Sequence, residues 1–280
     1  SAQSPTPSIN KFSPPAEKIR LFMSLFKGRE DVFAHKYFNK KQGKMVYGPM
    51  KSKPWERKPG DGEYAPFDER VVDHHSRGFD GMIAGVFPIC LDDTCHFLAI
   101  DLDKGEWQKD AEVLRDVCKE LEIPVSIERS QSGNGAHVWF FFDEEISAAQ
   151  ARRLGTALLT NAMENRHQIG FDSFDRMFPN QDTMPKGGFG NLIALPLQKK
   201  ARESGHSEFV DQQLNRIDDQ WLFLSQVERL SKPRISAILS ELPSGHGSMG
   251  LSQINTSEMD ETMPWEAQQA QAEEYKDLPS

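Results

Sequence analysis

The stretch His96–Asp103, HFLAIDLD, decides the fold because the alternation of its side chains predicts a β-strand. Successive side chains of a strand point to opposite faces, so Asp101 and Asp103 share one face with Phe97 and Ala99. From residue 98 onward the other face carries only leucine and isoleucine. The stretch therefore predicts a strand that ends in two carboxylates on one side.

The segments after this strand follow a known order of elements. Apolar spacing predicts a helix over 107–122, strands over 125–129 and 136–142, a second helix over 147–166, and extended segments over 169–178 and 191–197. This β-α-β-β-α-β order is the split βαβ arrangement of ferredoxin-like and RNA-recognition-type sheets. We therefore predict an α/β (α+β) fold whose first strand lies between the third and the fourth.

That topology brings polar residues that are distant in sequence to one edge of the sheet. The end of the first strand, the start of the third and the approach to the fourth meet at this edge. We expect Asp101 and Asp103 to converge there with the turn 132–137 and with Asp172 or Asp175.

Asp101 and Asp103 form the first candidate site. Hard divalent cations prefer clustered carboxylate oxygens, and a rigid strand can hold two acids for a pair of metals. Two other interpretations stay open, a solvated strand end and the start of a calcium loop. Asp101-x-Asp103-x-Gly105 begins like such a loop and Glu112 stands at its last position, but Gly105 offers no side-chain ligand.

The turn Ser130–His137, SQSGNGAH, is the second candidate site. Glycines let backbone N–H groups approach an anion, hydroxyl groups donate hydrogen bonds, and His137 can donate to a phosphate oxygen. A tight hairpin with a structural histidine is the alternative. The turn is of interest as a candidate because of its position beside the aspartate pair.

Charge is distributed unevenly along a chain of net charge −9. Residues 1–58 contain 13 Lys and Arg against 4 Asp and Glu, a net of +9, whereas residues 59–240 carry −11 and residues 241–280 carry −7. A basic head can follow a phosphate backbone, although charge runs also occur on ordinary solvated faces. The lysines predicted to contact nucleic acid are Lys36, Lys40, Lys41, Lys44, Lys51 and Lys53.

Composition changes along the chain predict four regions. Residues 1–15 are rich in Pro and Ser and are expected to be a disordered linker, and residues 16–66 form a basic N-terminal subdomain that opens with a helix. Residues 67–235 form the core. Residues 236–280 are an acidic tail that we expect to lead to a further domain.

Length and composition exclude several classes of protein. A chain of 280 residues with 38% hydrophobic residues can bury a core of its own, which excludes collagen-like, coiled-coil and wholly disordered chains. No apolar run approaches the roughly 18 residues of a membrane-spanning helix, so no membrane partner is expected. Three cysteines are too few for a disulfide framework, which favours a reducing cytoplasm.

Several segments together resemble the archaeo-eukaryotic primase superfamily. They are FLAIDLD at 97–103, ERSQSGNGAH at 128–137, FDRMFPNQ at 174–181 and GNLIALPL at 190–197. The resemblance is greatest to the primase branch of TOTE conflict systems and to related CRISPR-associated primase-polymerases, and LFKGREDVFA at 25–34 also matches that branch. It covers roughly residues 18–225, and the motifs are specific in combination although each is weak alone.

This resemblance implies a DNA primase-polymerase, a nucleotidyltransferase that makes or extends primers on single-stranded DNA from NTPs or dNTPs. The family's two metal ions, Mg²⁺ or Mn²⁺, would be bound by its paired aspartates, which fall on Asp101 and Asp103. Its third acid falls on Asp175, with Asp172 as the alternative. The catalytic and metal-binding residues implied are therefore Asp101, Asp103 and Asp175.

The resemblance also implies nucleotide contacts and partners. The family's turn and histidine fall on Ser132 and His137, and the full nucleotide-binding set is Arg129, Ser130, Ser132, Gly133, Asn134, His137, Arg176, Lys186 and Asn191. Asn191 either reaches the nucleotide or caps a turn. The implied partners are a DNA template and primer and a fused or co-encoded helicase or nuclease, for a monomer that acts in phage defence in the bacterial cytoplasm.

Zinc is not expected among the cofactors. Members of this branch often carry a cysteine-rich insertion after a Tyr-x-Pro segment, whereas Tyr47-Gly48-Pro49 leads here into a stretch without cysteine. Cys90 and Cys95 remain, and two thiols without nearby partners make a poor zinc site.

Two rival functions rest on other residues. Asp73-His74-His75 spells the signature of the DHH phosphoesterases, but the earlier aspartate-rich strand and the later glycine-histidine cluster of that family are not evident. We interpret the histidine pair as structural or nucleic-acid-contacting, at the start of a strand. The second rival is a non-catalytic nucleic-acid-binding module that stacks bases on the aromatics of 138–142, although this apolar run predicts a strand buried on both faces.

Overall fold

The element order in a computed structural model of the protein confirms the predicted fold class. The structure describes residues 8–53, 62–165 and 172–242. Its helices are α1 (Pro15–Leu25), α2 (Glu69–Arg77), α3 (Trp107–Glu120), α4 (Ala148–Asn165), α5 (Lys199–Arg202), α6 (Gln220–Ser225) and α7 (Lys232–Glu241). Its strands are β1 (Ala34–Asn39), β2 (Lys44–Pro49), β3 (Ala84–Val86), β4 (Thr94–Asp103), β5 (Ser126–Arg129), β6 (Gly135–Ser147), β7 (Phe174–Phe178), β8 (Ile193–Ala194) and β9 (Glu208–Phe209).

The larger sheet has five strands in the order β7-β4-β6-β5-β9. Along the chain, β4, α3, β5, β6, α4 and β7 form the predicted β-α-β-β-α-β unit, and all pairings between its strands are antiparallel. Its first strand, β4, lies between the third, β6, and the fourth, β7, as the topology rule requires. The short strand β9 extends the sheet beyond β5.

The two faces of β4 lie in two different cores, which explains its alternation. Leu98, Ile100 and Leu102 are fully buried in a core that also includes residues of α3 and α4. Phe97 and Ala99 are equally buried on the opposite face, in a core shared with α1, α2 and the smaller sheet. Asp101 and Asp103 continue this second face to the point where the core ends.

The smaller sheet has the order β2-β1-β3-β8 and combines segments that are distant in sequence. β3 and β8 lie beyond residue 66, so the predicted N-terminal subdomain 16–66 does not hold this sheet by itself. The extended segment predicted over 191–197 is correspondingly short, because β8 pairs with β3 through only Gly85↔Ala194 and Val86↔Ile193. It belongs to the smaller sheet rather than to the larger one.

The ends of the described chain pack onto the body of the protein. Lys11, in the predicted linker, donates its backbone N–H to Asp219 at 3.0 Å. Helix α7 extends beyond residue 235, the predicted end of the core region. Its Ile235 and Ile238 are buried in the hydrophobic core that includes residues of α3 and α4. The rest of the predicted tail, residues 243–280, lies outside the described residues. Among the helices that the structure describes, none has the length and apolarity needed to cross a membrane.

Candidate active site

Asp101 lies at the centre of the predicted edge. Within the larger sheet it stands opposite His137 of β6 and opposite Arg176 of β7. Asp103 stands opposite Gly135, the last residue of the glycine-rich turn. Directly paired residues of neighbouring strands share a face, so the acids, the histidine and the turn meet as the topology predicts.

A β-bulge in β7 separates the two candidates for the third acid. Asp101 pairs with Arg176 but Leu102 pairs with Phe174, which leaves Asp175 as an extra residue on its strand. The charge of Asp175 contributes to raising the pKa of Asp101, so the two carboxylates lie close. Asp172 precedes the strand and is exposed. This geometry favours Asp175.

Asp101 is largely buried and poorly compensated. Its side chain is 20% exposed, and its nearest charged partner is Nε2 of His137, 3.8 Å from Oδ1. No described residue donates a hydrogen bond to its carboxylate within normal distance. Burial is the main cause that raises the pKa of Asp101, while the positive charges of His137 and Arg176 act in the opposite direction. A further cation at this position would offset the cost of desolvating the carboxylate.

The two other acids are paired with neighbouring cations. Lys104 Nζ lies 3.5 Å from Asp103, and Arg176 Nε donates to Asp175 at 2.8 Å. Within the described ranges, no group of three His, Cys, Asp or Glu side chains is already arranged to hold a metal ion. The donor set is nevertheless of the right kind, because three carboxylates supply hard oxygen ligands and the most buried of them receives no hydrogen bond from the residues that the structure describes.

Glu128 fixes the orientation of His137. The carboxylate of Glu128, 1% exposed, accepts the Nδ1–H of His137 at 2.9 Å and the indole N–H of Trp139 at 3.0 Å on the same oxygen. Its second oxygen accepts the hydroxyl of Ser207 at 3.3 Å. With Nδ1 occupied by Glu128, Nε2 of His137 is the nitrogen that faces Asp101.

This network keeps His137 charged. Burial by itself lowers the pKa of an imidazole, but the carboxylates of Glu128, Asp101 and Asp103 outweigh it and raise the pKa of His137 to about 9. At neutral pH both ring nitrogens therefore carry protons, and the Nε2–H is directed into the site. A donor of this kind is suited to a phosphate oxygen.

The turn from residue 130 to residue 135 is held by its own hydrogen bonds. Ser130 and Ser132 share a hydroxyl contact at 3.2 Å, Asn134 N–H donates to Ser132 Oγ at 3.2 Å, and Arg129 Nε donates to the Gly133 carbonyl at 3.1 Å. Gly133 has a φ of +79°, a conformation that favours glycine. A Cβ at Gly133 would also overlap the imidazole of His206.

The smaller sheet covers this turn. Lys36 Nζ on β1 donates to Gln131 Oε1 at 3.0 Å, and the Tyr47 hydroxyl on β2 donates to the same oxygen at 3.4 Å. Burial lowers the pKa of Lys36, which is half-buried. Lys36, predicted as a nucleic-acid contact, thus lies against the candidate nucleotide turn.

The other predicted lysines lie further out. Lys40, Lys41 and Lys44 are exposed at the tip of the β1–β2 hairpin. Lys51 forms an ion pair with Glu63 at 2.7 Å, and Lys53 is exposed nearby.

The remaining predicted nucleotide contacts differ in position. Asn191 is buried, donates to the Met177 carbonyl at 3.1 Å and accepts the backbone N–H of Asn180 at 3.3 Å, an arrangement that favours its turn-capping role. Lys186 is exposed in the loop before β8. Arg176 is half-exposed beside the acids.

A family model matches most of the chain. The family model described as the archaeo-eukaryotic primase domain of TOTE conflict systems matches residues 17–238. The chain belongs to this primase family. No curated protein matches the chain.

The solved structures that the chain matches include two polymerase domains. One is the archaeo-eukaryotic primase domain of the cyanophage S-2L primase-polymerase, with a TM-score of 0.41 and 13% sequence identity over 85% of this chain and 100% of that chain. The other is the polymerase domain of Mycobacterium tuberculosis ligase D in complex with DNA, with a TM-score of 0.37 and 13% identity over 87% of this chain and 90% of that chain.

Three residues of this primase domain were not assigned a role from the sequence. Glu128 begins the motif at 128–137, but a Glu near the end of a strand and beside Arg129 is not predicted from the sequence to be buried. Gln131 lies within the turn, but its contacts with Lys36 and Tyr47 of the smaller sheet arise only through tertiary packing. His206 reaches the turn in the same way. The alternation of β5 and β6 could have placed Glu128 opposite His137, because the two residues are paired in the ladder.

The structure disfavours the phosphoesterase interpretation of Asp73-His74-His75. Asp73, His74 and His75 lie on helix α2 rather than at the start of a strand, because Asp68 caps this helix with hydrogen bonds to two backbone N–H groups. His75 is fully buried, donates Nε2–H to the Pro196 carbonyl at 2.8 Å and accepts the Ala84 N–H at 3.1 Å. Both of its nitrogens are therefore used by the fold.

The aromatics of β6 do not form a stacking platform. Trp139, Phe140, Phe141 and Phe142 are each at most 2% exposed, so the base-stacking module proposed on 138–142 is not available. The calcium-loop alternative is also disfavoured, since α3 begins at Trp107 and Glu112 lies within that helix.

Proposed function

We propose that this primase-family domain is a DNA primase-polymerase that transfers nucleotides from NTPs or dNTPs to a growing strand, directed by a single-stranded DNA template. The observation that carries the proposal is the meeting of Asp101, Asp103 and Asp175 with His137 and the glycine-rich turn at one sheet edge. Acids for cations and donors for a triphosphate are the two sets of groups that nucleotidyl transfer requires.

Asp101, Asp103 and Asp175 would hold two divalent metal ions. When bound, Mg²⁺ or Mn²⁺ activates the 3′-hydroxyl for attack on the α-phosphorus and stabilises the charge of the departing pyrophosphate. The carboxylates determine where the positive charge of the metals would lie. Two of the carboxylates, those of Asp101 and Asp103, are held on one rigid strand, β4. In the reaction the new bond joins the 3′-oxygen to the α-phosphorus, and the bond to the β-phosphate oxygen breaks.

The turn and His137 bind the triphosphate. The Nε2–H of His137 faces the acids, and the turn offers the hydroxyl of Ser132. Arg129 braces the turn through the Gly133 carbonyl, and Arg176 lies on the opposite side of Asp101. These donors orient the α-phosphorus toward the acids.

A template-directed incorporation assay tests the proposal. The protein is incubated with an oligo-dT strand, a complementary primer or none, a divalent metal and each labelled nucleotide in turn. We expect adenine nucleotides alone to be incorporated, and only with Mg²⁺ or Mn²⁺. Incorporation that ignores the template base would contradict template direction, and no incorporation under any of these conditions would contradict the proposed function.

A further inference from the structure

One face of the β1–β2 hairpin continues outward from the candidate site. Lys36 pairs with Tyr47 and Phe38 pairs with Met45 across the hairpin, so these four side chains share one face. Lys36 and Tyr47 both bond to Gln131 in the glycine-rich turn. Phe38 stands two residues further, about 7 Å along the strand. The same face thus runs from the turn to the hairpin tip.

Phe38 and Met45 form an apolar pair that the fold leaves exposed. Phe38 is 57% exposed and Met45 is 51% exposed. Tyr37, on the opposite face, provides a contrast because its ring stacks on His35 at 5.0 Å. An adjoining aromatic and thioether pair beside a functional site marks a contact surface more often than an isolated surface residue does.

The charged side chains of the hairpin segment are all lysines. From residue 32 to residue 53 the sequence contains six lysines and no Asp or Glu, in a chain whose net charge is −9. Three of them, Lys40, Lys41 and Lys44, surround the tip, and their ammonium groups have no hydrogen-bond or ion-pair partner within the described ranges. This charge is complementary to a polyanion.

We propose that the β1–β2 hairpin binds the single-stranded DNA template, with a base stacked on Phe38 and Met45 and phosphates contacted by Lys40, Lys41 and Lys44. Single strands expose the faces of their bases and are bound by aromatic side chains interleaved with positive charge, whereas a duplex hides those faces. That the strand is the template rests on the proposed function. The stacking site itself rests on the hairpin.

Binding of a fluorescent oligo-dT strand, measured by anisotropy without nucleotide or metal, tests this site. Phe38→Ala should weaken binding about 5- to 150-fold, as expected for the loss of one stacked base, and leave the salt dependence unchanged. Phe38→Trp should restore it. Neutralising Lys40, Lys41 and Lys44 to Gln should instead reduce the salt slope by about 0.7 for each phosphate that the variant no longer binds. Phe12→Ala is the matched control, since Phe12 is 85% exposed outside the hairpin.

The outcomes separate this inference from the proposed function. Wild-type affinity in Phe38→Ala, or an equal loss in Phe12→Ala, would overturn the stacking site even if the protein incorporates nucleotides. Equal binding of a duplex, or stronger binding of anionic phospholipid vesicles, would overturn the choice of a single strand as the partner. A protein that incorporates no nucleotide but loses strand binding through Phe38→Ala would refute the proposed function and leave the stacking site standing.

Discussion

At the scale of single residues, the carboxylates of the candidate site differ in their surroundings. Asp101 and Asp175 lie at the sheet edge, whereas Glu128 is buried behind His137 and accepts hydrogen bonds from three side chains. A buried carboxylate with three donors is already satisfied and has little to offer a cation. Glu128 therefore positions His137.

The third acid can be identified by a matched pair of variants. Asp175→Asn should reduce nucleotide incorporation by at least about a hundredfold, because it removes a carboxylate that would hold the metal ions, and losing their charge stabilisation costs several kcal/mol. Asp172→Asn should stay near wild type, since Asp172 is exposed before the strand. Single-turnover incorporation rates with Mn²⁺ measure both effects. The reverse order of effects would assign the role to Asp172.

If Glu128 acts by positioning His137, the effects of substituting the two residues on kcat/KM should not add. His137→Ala should lower kcat/KM for the nucleotide about ten- to a hundredfold, as expected for one charge-assisted hydrogen bond, mainly through a higher KM. Glu128→Gln retains acceptors for His137 and Trp139 but removes the charge, so it should reproduce part of that loss. In the His137→Ala background the same change should cost little, because its effect passes through the histidine.

The control for this comparison of single and double variants is their affinity for Mn²⁺, measured by calorimetry. Both single variants should bind Mn²⁺ almost as the wild type does, because neither residue is an expected ligand. Fully additive losses in kcat/KM would show that Glu128 acts independently of His137. Loss of Mn²⁺ binding in His137→Ala would place the histidine among the metal ligands.

At the scale of elements, the contacts of the segment between α1 and β1 give a structural role to the motif at 25–34, which the sequence alone did not. Arg29 donates its backbone N–H to the Phe87 carbonyl at 2.9 Å, forms two hydrogen bonds with Asp31 and lies 5.1 Å from the ring centre of Phe189. A Cβ at Gly28 would overlap that same Phe87 carbonyl. This motif therefore packs against the segments that follow β3 and precede β8 of the smaller sheet.

Gly28→Ala should therefore destabilise the protein. The added methyl group meets backbone rather than a flexible side chain, and overpacking of this kind costs about 1–3 kcal/mol of the free energy of unfolding. Gly62→Ala is the control, because no described residue lies within 4 Å of the new Cβ. Chemical denaturation of the two variants measures the difference. Equal stability would show that the segment shifts to accommodate a side chain.

Local patterns predicted the larger sheet better than the smaller one. The alternation of 96–103 and the order of elements were enough to place β4 between β6 and β7, because both follow from backbone geometry and a topology rule. β3 and β8 contribute only a few residues and pair across more than 100 positions. Strands this short leave no periodicity in the sequence, and so their sheet could not be predicted.

The same limit applies to the candidate site. Asp101, Asp103 and His137 lie on strands with clear alternation, and their meeting at one edge follows from the sheet order. The roles of Glu128, Gln131 and His206 depend on burial and on contacts between separate segments. No local pattern distinguishes a buried Glu from an exposed one at the end of a strand.

At the scale of the whole molecule, His75 joins α2, β3 and the segment after β8. Burial is the main cause that lowers the pKa of His75 to about 4. The unfolded chain takes up this proton as the pH falls below about 6.5, while the folded protein does not until about 4. The contribution of His75 to stability is therefore constant above pH 6.5 and falls by about 3 kcal/mol between pH 6.5 and 4.

Unfolding by urea across this pH range measures the effect. His75→Gln should remove most of this decline, whereas His74→Gln on the same helix should keep it. Identical pH dependence in the wild type and in His75→Gln would contradict the assignment of His75 as a buried neutral histidine.

The central claim is that the sheet edge carrying Asp101 catalyses nucleotidyl transfer. The most direct test measures template-directed incorporation and thermal unfolding for the variant Asp101→Asn. The control is Asp143→Asn, because Asp143 is an exposed aspartate of β6. Because burial raises the pKa of Asp101, its charge opposes folding at neutral pH, and its removal should leave Tm unchanged or higher. We predict loss of incorporation with an intact fold for Asp101→Asn and wild-type behaviour for Asp143→Asn. Near-normal incorporation by folded Asp101→Asn would contradict the account.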